Sequence, residues 1–128
     1  MKLKKLEKTG LYIIIIPRLY DFFSTIGHNP SLSMEGNEKV RAVLDLYNSI
    51  PLGYLSMILM TASYGAVAFF VFYLFHRFIS NSYEPSRLKD SLLYSTLIIP
   101  IAGSYGHILG GSTWFFPNWT LLYKLLNY

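Results

Sequence analysis

LYNSIPLGYLSMILMTASYGAVAFFVFYLF, residues 46–75, carries no charged side chain; Asp45 stands before it and His76-Arg77 after it. Its inner part, Tyr54 to Phe75, has no ionisable group other than tyrosine. A helix needs about 20 apolar residues to cross ~30 Å of hydrocarbon. The stretch is long enough, and Pro51 suits a first helical turn, where a missing N–H costs nothing. Residues 51–76 are therefore expected to form transmembrane helix 1.

A second uncharged run extends from Ser91 to Tyr123 and is interrupted only by His107. Its apolar part, Leu92 to Leu109, is just long enough to cross. Pro100 lies inside it and should kink the helix by removing one backbone bond. Gly110-Gly111 is expected to end the regular helix, so residues 91–111 read as transmembrane helix 2. Residues 77–90 between the two form a polar loop, with a turn-like Glu84-Pro85-Ser86-Arg87.

The flanks are of another kind. Lys2, Lys4, Lys5 and Lys8 precede a short apolar stretch, Leu11 to Ile16, in the order of a secretory signal. Arg18 and Asp21 follow it, and no small-residue cleavage site appears. Residues 1–26 are read as a retained segment lying on a membrane or a partner, interrupted at Pro17-Arg18. Val40, Val43, Leu44 and Tyr47 fall at helical spacing among Glu38, Lys39, Arg41 and Asp45. That pattern predicts an interfacial helix leading into the first span. Residues 1–50 thus read as an N-terminal interfacial arm. Residues 112–128, with Trp114, Trp119, Tyr123 and Tyr128, read as an aromatic interfacial tail, because such rings gather at headgroup level. The expected fold is an all-α membrane protein: two transmembrane helices in a hairpin, with amphipathic or interfacial helices at both ends.

Composition narrows the chemistry. Of 128 residues, 52% are apolar and 14% charged, against roughly 25% charged in soluble domains. Cysteine is absent, which removes disulfides, thiolate metal sites and cysteine nucleophiles. The net charge of +4 comes from scattered basic residues, with no basic–aromatic stripe for nucleic acid. No Gly-rich phosphate loop and no paired carboxylates at catalytic spacing occur. Neither expected span contains a carboxylate, which coupled carriers and rotor subunits need in mid-membrane. The chain is expected to be no enzyme and to hold no cofactor or metal of its own.

His107 is the ionisable group inside an expected span that needs an explanation. It either bonds a neighbouring helix or water, or serves as a haem ligand or quinone contact completed by another subunit. Ala102, Gly106 and Gly110 form a small-residue stripe at helical spacing, suited to close helix packing within the chain or on a partner. His76, Arg77, Arg87 and Lys89 flank the polar loop and could anchor the helices or hold a phospholipid head group, cardiolipin among them. Asn118-Trp119-Thr120 matches a glycosylation acceptor too near the membrane for use.

Pro51-Leu52-Gly53, the apolar run and the exit His76-Arg77-Phe78 together resemble the small MWFE-type accessory subunit of mitochondrial respiratory complex I. That family has a Pro/Gly-rich start, one span and an Ile-His-Arg-Phe-like exit. The resemblance covers residues 51–78, and this chain adds a second span and a long N-terminal arm. It implies a scaffold role with no catalytic residues. The composition, rich in Ile, Lys, Asn, Tyr and Phe, hints at an AT-rich genome such as that of a protist. The expected function is that of a structural accessory subunit of an inner-membrane respiratory complex, complex I favoured, with other subunits and phospholipid as partners. The alternative is a haem- or quinone-site anchor of the succinate dehydrogenase type, built on His107.

Overall fold

The computed structural model describes residues 4–35, 37–82, 84–112 and Phe115. The aromatic tail expected over residues 112–128 lies outside these, apart from Ser112 and Phe115. Six helices follow in order: α1 (Lys5–His28), α2 (Glu38–Tyr47), α3 (Ile50–Ser82), α4 (Arg87–Ser95), α5 (Ile98–Ala102) and α6 (Tyr105–Ser112). Among the described residues there is no strand.

α3 is a single helix of 33 residues, apolar and long enough to cross a membrane. α4 to α6 reach that length only as one span bent by 40° between Ala102 and Tyr105. The chemistry of Pro100 accounts for the first irregularity. Without an N–H it cannot close a bond to the carbonyl of Thr96, four residues back. Ile99 takes over that carbonyl at 3.1 Å in a tighter turn, and α4 and α5 are separated at residues 96–97. A second short turn, Ser104 N–H to Ile101 carbonyl at 3.1 Å, separates α5 from α6. The kink expected at Pro100 is thus spread over two breaks. Gly110-Gly111 does not end the helix, because α6 runs on to Ser112.

α1 departs further from expectation. It passes through Pro17 without interruption. Pro17 frees the carbonyl of Ile13, and next to it the Arg18 guanidinium returns a donor to the Ile14 carbonyl at 2.9 Å. The helix lies antiparallel to α3 along its length. Lys4 Nζ donates to Ser80 Oγ at 3.0 Å at one end. Gly10 meets Phe72 and Gly65 meets Ile14 and Arg18 in the middle. Phe22 packs edge-on against Tyr54, 6.2 Å between centroids, at the other end. α1 also packs on α5 and α6, and α6 makes its main contacts with α1. The simple two-helix hairpin is therefore replaced by a bundle in which α1 lies between the long helix and the end of the broken one.

α2 is capped by Asn37, whose side chain accepts from the N–H groups of Lys39 and Val40 at 3.0 and 3.4 Å. It does not run straight into α3. Asn48 takes a left-handed turn (φ 45°), and α2 folds back along α3. Leu44 sits over Gly53, and Lys39 Nζ donates to the Tyr64 hydroxyl at 3.2 Å.

Candidate functional site

The inward face of α1 is not apolar. Its buried residues are Glu7, Gly10, Ile14, Pro17, Arg18, Ser24 and Thr25, three or four apart in the main and so on one stripe of the helix. Arg18 is its centre. The guanidinium donates from Nε to the Thr61 carbonyl (3.3 Å) and from Nη1 to the Ile14 carbonyl (2.9 Å) and Ser104 Oγ (3.2 Å). Nη2 donates to the Gly103 carbonyl (3.1 Å). One cation thereby ties α1 to α3 and fills the gap between α5 and α6. Breaking a helix strips carbonyls of their partners, and at membrane depth such backbone must be satisfied by protein. Arginine suits this because its planar fork presents several donors in fixed directions, where a lysine offers one flexible point.

One turn beyond, Asp21 meets His107. The carboxylate has no proton to give, so the ring Nδ1–H donates to Asp21 Oδ2 at 2.8 Å. Asp21 is about a quarter exposed, as is His107. A cavity of about 30 Å³, bounded by Arg18, Asp21, Thr25, Thr61, His107 and two apolar side chains, lies beside the pair. It has room for about one water. With His107 neutral, Arg18 and Asp21 cancel, which lowers the cost of holding both away from water. The carboxylate fixes the orientation and tautomer of the His107 ring. It also leaves Nε2 of His107 as the ring's lone-pair nitrogen.

A second polar cluster closes the other end of α1. Glu7 is fully buried. Its carboxylate accepts from the Lys4 backbone N–H at 2.6 Å and from Arg77 Nη2 at 3.3 Å. Arg77 Nε lies 2.6 Å from Glu7 Oε1 as an ion pair, without hydrogen-bond alignment. The Arg77 guanidinium also sits 5.1 Å over the Tyr73 ring. His76 is buried with Nδ1 at 3.4 Å from Thr96 Oγ1. That hydroxyl spends its own proton on the Leu93 carbonyl at 2.6 Å, so the histidine is the donor.

Of the residues expected to contact head groups, three make contacts within the chain and one is exposed. His76, Arg77 and Lys89 are engaged inside the chain, Lys89 through its ammonium on the Ser80 carbonyl at 2.7 Å. Arg87 is exposed at the start of α4. In the small-residue stripe Ala102 is exposed, and Gly106 and Gly110 are half-buried. Side chains also pack tightly on other glycines, Phe72 on Gly10, Leu44 on Gly53 and Tyr20 on Gly111. Arg18, Asp21 and Glu7 were not among the expected site residues. Arg18 and Asp21 stand three apart in an otherwise apolar stretch, hence on one helix face, and that was the available signal. Neither expected span has its own carboxylate, yet α1 brings one to His107.

No protein-family model, curated protein or solved structure matches the chain.

Proposed function

We propose that the chain is a membrane-embedded structural subunit that holds a larger complex together, in the mitochondrial inner membrane and with respiratory complex I as the favoured setting. One observation carries the membrane part: the distribution of polarity is inverted. Among the described residues, buried polar side chains include Glu7, Arg18, Asn29, His76, Thr96 and Ser104, whereas the buried large apolar ones are Ile14, Leu32, Val40 and Phe72. The outside of α3 exposes Leu55, Leu59, Val67, Phe70, Phe75 and Phe78, and that of α1 exposes Ile16, Leu19 and Phe23. Leaving such side chains in water forgoes roughly 1.5–3 kcal/mol each. Hydrocarbon or an apolar partner removes that cost, and it also favours gathering charges inside. The scaffold part is supported by the engagement of the interior polar groups with one another. Complex I, and with it the mitochondrial setting, is favoured by the resemblance of residues 51–78 to the MWFE-type subunit.

Carbonate washing of membranes should leave the chain in the pellet, and its loss should lower the amount of one assembled respiratory complex at unchanged turnover per complex. Release by carbonate would refute membrane embedding; normal assembly without the chain would refute the scaffold role.

The redox-anchor reading keeps one specific support. Metal-ligating histidines commonly give their second ring N–H to a carboxylate, as His107 does to Asp21. His107→Ala separates the two readings. The scaffold reading expects an unchanged reduced-minus-oxidised haem spectrum, and the anchor reading expects the loss of a b-type signal.

A further inference from the structure

We propose that the groove where α1's following loop meets the α2–α3 junction binds the head group of a zwitterionic phospholipid, phosphatidylethanolamine in type. The proposal rests on the membrane reading above. The groove encloses about 370 Å³, within the ~300–1,000 Å³ of small-molecule sites. Its charged lining is one residue of each sign, Arg41 and Asp45. They stand four apart on α2, so their side chains start about 5–6 Å from each other on one face. Both are exposed, and neither is in an ion pair among the described residues.

That pairing selects the ligand class. A simple anion on Arg41 is opposed by Asp45, and a simple cation on Asp45 is opposed by Arg41. A molecule carrying a phosphate and a primary ammonium a short distance apart satisfies both. Ser31 and Ser49 offer hydroxyl donors around the charges, Ser33 having given its proton to Asn29 Oδ1, and Leu32 and Ile50 supply an apolar margin. Ile50 is also the first residue of the long apolar helix α3, the end at which a bilayer's head groups are met.

The backbone around the groove is unusual. Leu32 (φ 55°) and Asn48 (φ 45°) are the non-glycine residues with left-handed backbone among the described residues, and both line this groove. For a leucine that conformation is strained and persists only where the surroundings enforce it. Leu32 is held by burial over Gly53.

The test uses the full chain in lipid nanodiscs of equal phosphatidylethanolamine, phosphatidylcholine and phosphatidylglycerol. After detergent extraction and washing, retained lipid is identified by mass spectrometry. The expected result is several-fold enrichment of phosphatidylethanolamine. Arg41→Gln should abolish the enrichment, and Asp45→Asn should turn the preference toward anionic phosphatidylglycerol. Ser31→Trp fills the groove with both charges intact and should expel the lipid, which covers the case in which a charge variant fails to fold. Equal retention of all three lipids, or a preference that none of the variants alters, overturns the proposal while membrane embedding stands. Displacement by free phosphoethanolamine as effective as by lipid overturns the lipid assignment in favour of a soluble ligand. Release of the wild-type chain by carbonate overturns the membrane reading, and this proposal with it.

Discussion

Arg18 makes the tightest claim at the scale of a single residue. Its guanidinium satisfies the carbonyls of Thr61 and Gly103 and the hydroxyl of Ser104, on α3 and at the break between α5 and α6. Arg18→Gln removes those donors and leaves buried acceptors unpaired, at about 1–3 kcal/mol for the group that suffers most. Melting in detergent should therefore fall, and Arg18→Lys should recover little, because one ammonium cannot reach three acceptors set apart by the helix break. A lysine variant as stable as wild type would show that the charge alone matters. Gly27 provides a contrast. Nothing lies within 4 Å of a Cβ built there, and it sits inside α1. Gly27→Ala should hold or raise the melting point, by up to about 1 kcal/mol from helix propensity.

At the scale of elements, α1 and α3 approach closely because Gly10 lacks a side chain. A Cβ on Gly10 would fall on the edge of the fully buried Phe72 ring, which has nowhere to go. Gly10→Leu should push the helices apart and cost on the order of 1–3 kcal/mol, as in an overpacked core. Thermal unfolding in detergent reads that loss, and unchanged stability would mean that α1 is not docked here. The broken helix makes a separate prediction. Pro100→Ala restores an N–H that can bond the Thr96 carbonyl, now held by Ile99. α4 and α5 should then merge, and amide exchange at residues 96–101 should slow. Exchange as fast as in wild type would place the cause of the break elsewhere.

For the whole molecule the inverted polarity has a direct readout. The chain has no cysteine, so single cysteines can be introduced without removing others. In vesicles, cysteines at Ile16 on α1 and Val67 on α3, both about 60% exposed in the isolated chain, should resist a water-soluble maleimide. A cysteine at Arg87, exposed at the start of α4, should react. Rapid labelling at Val67 would mean that water surrounds the long helix; rapid labelling at Ile16 alone would mean that α1 lies outside the hydrocarbon.

The long helix α3 was legible from its residues because the signal is local: an uncharged run this long forms a helix whatever surrounds it, and its length sets what it can cross. Helical character in residues 38–47 and in the region around Pro100 was legible for the same reason, through spacing and through a missing N–H. The partners of the polar residues were not. Along the chain, Arg18 and Asp21 interrupt an apolar stretch, and nothing adjacent in sequence offers them partners inside a helix bundle. Only the tertiary arrangement shows that the break between α5 and α6 offers acceptors to Arg18, and that His107, 86 residues away, offers a donor to Asp21. A hydrogen bond depends on atoms brought together in space, and residues so far apart in sequence leave no periodicity that records their meeting. The same holds for Glu7 and Arg77, whose pairing fixes the direction of α1 against α3.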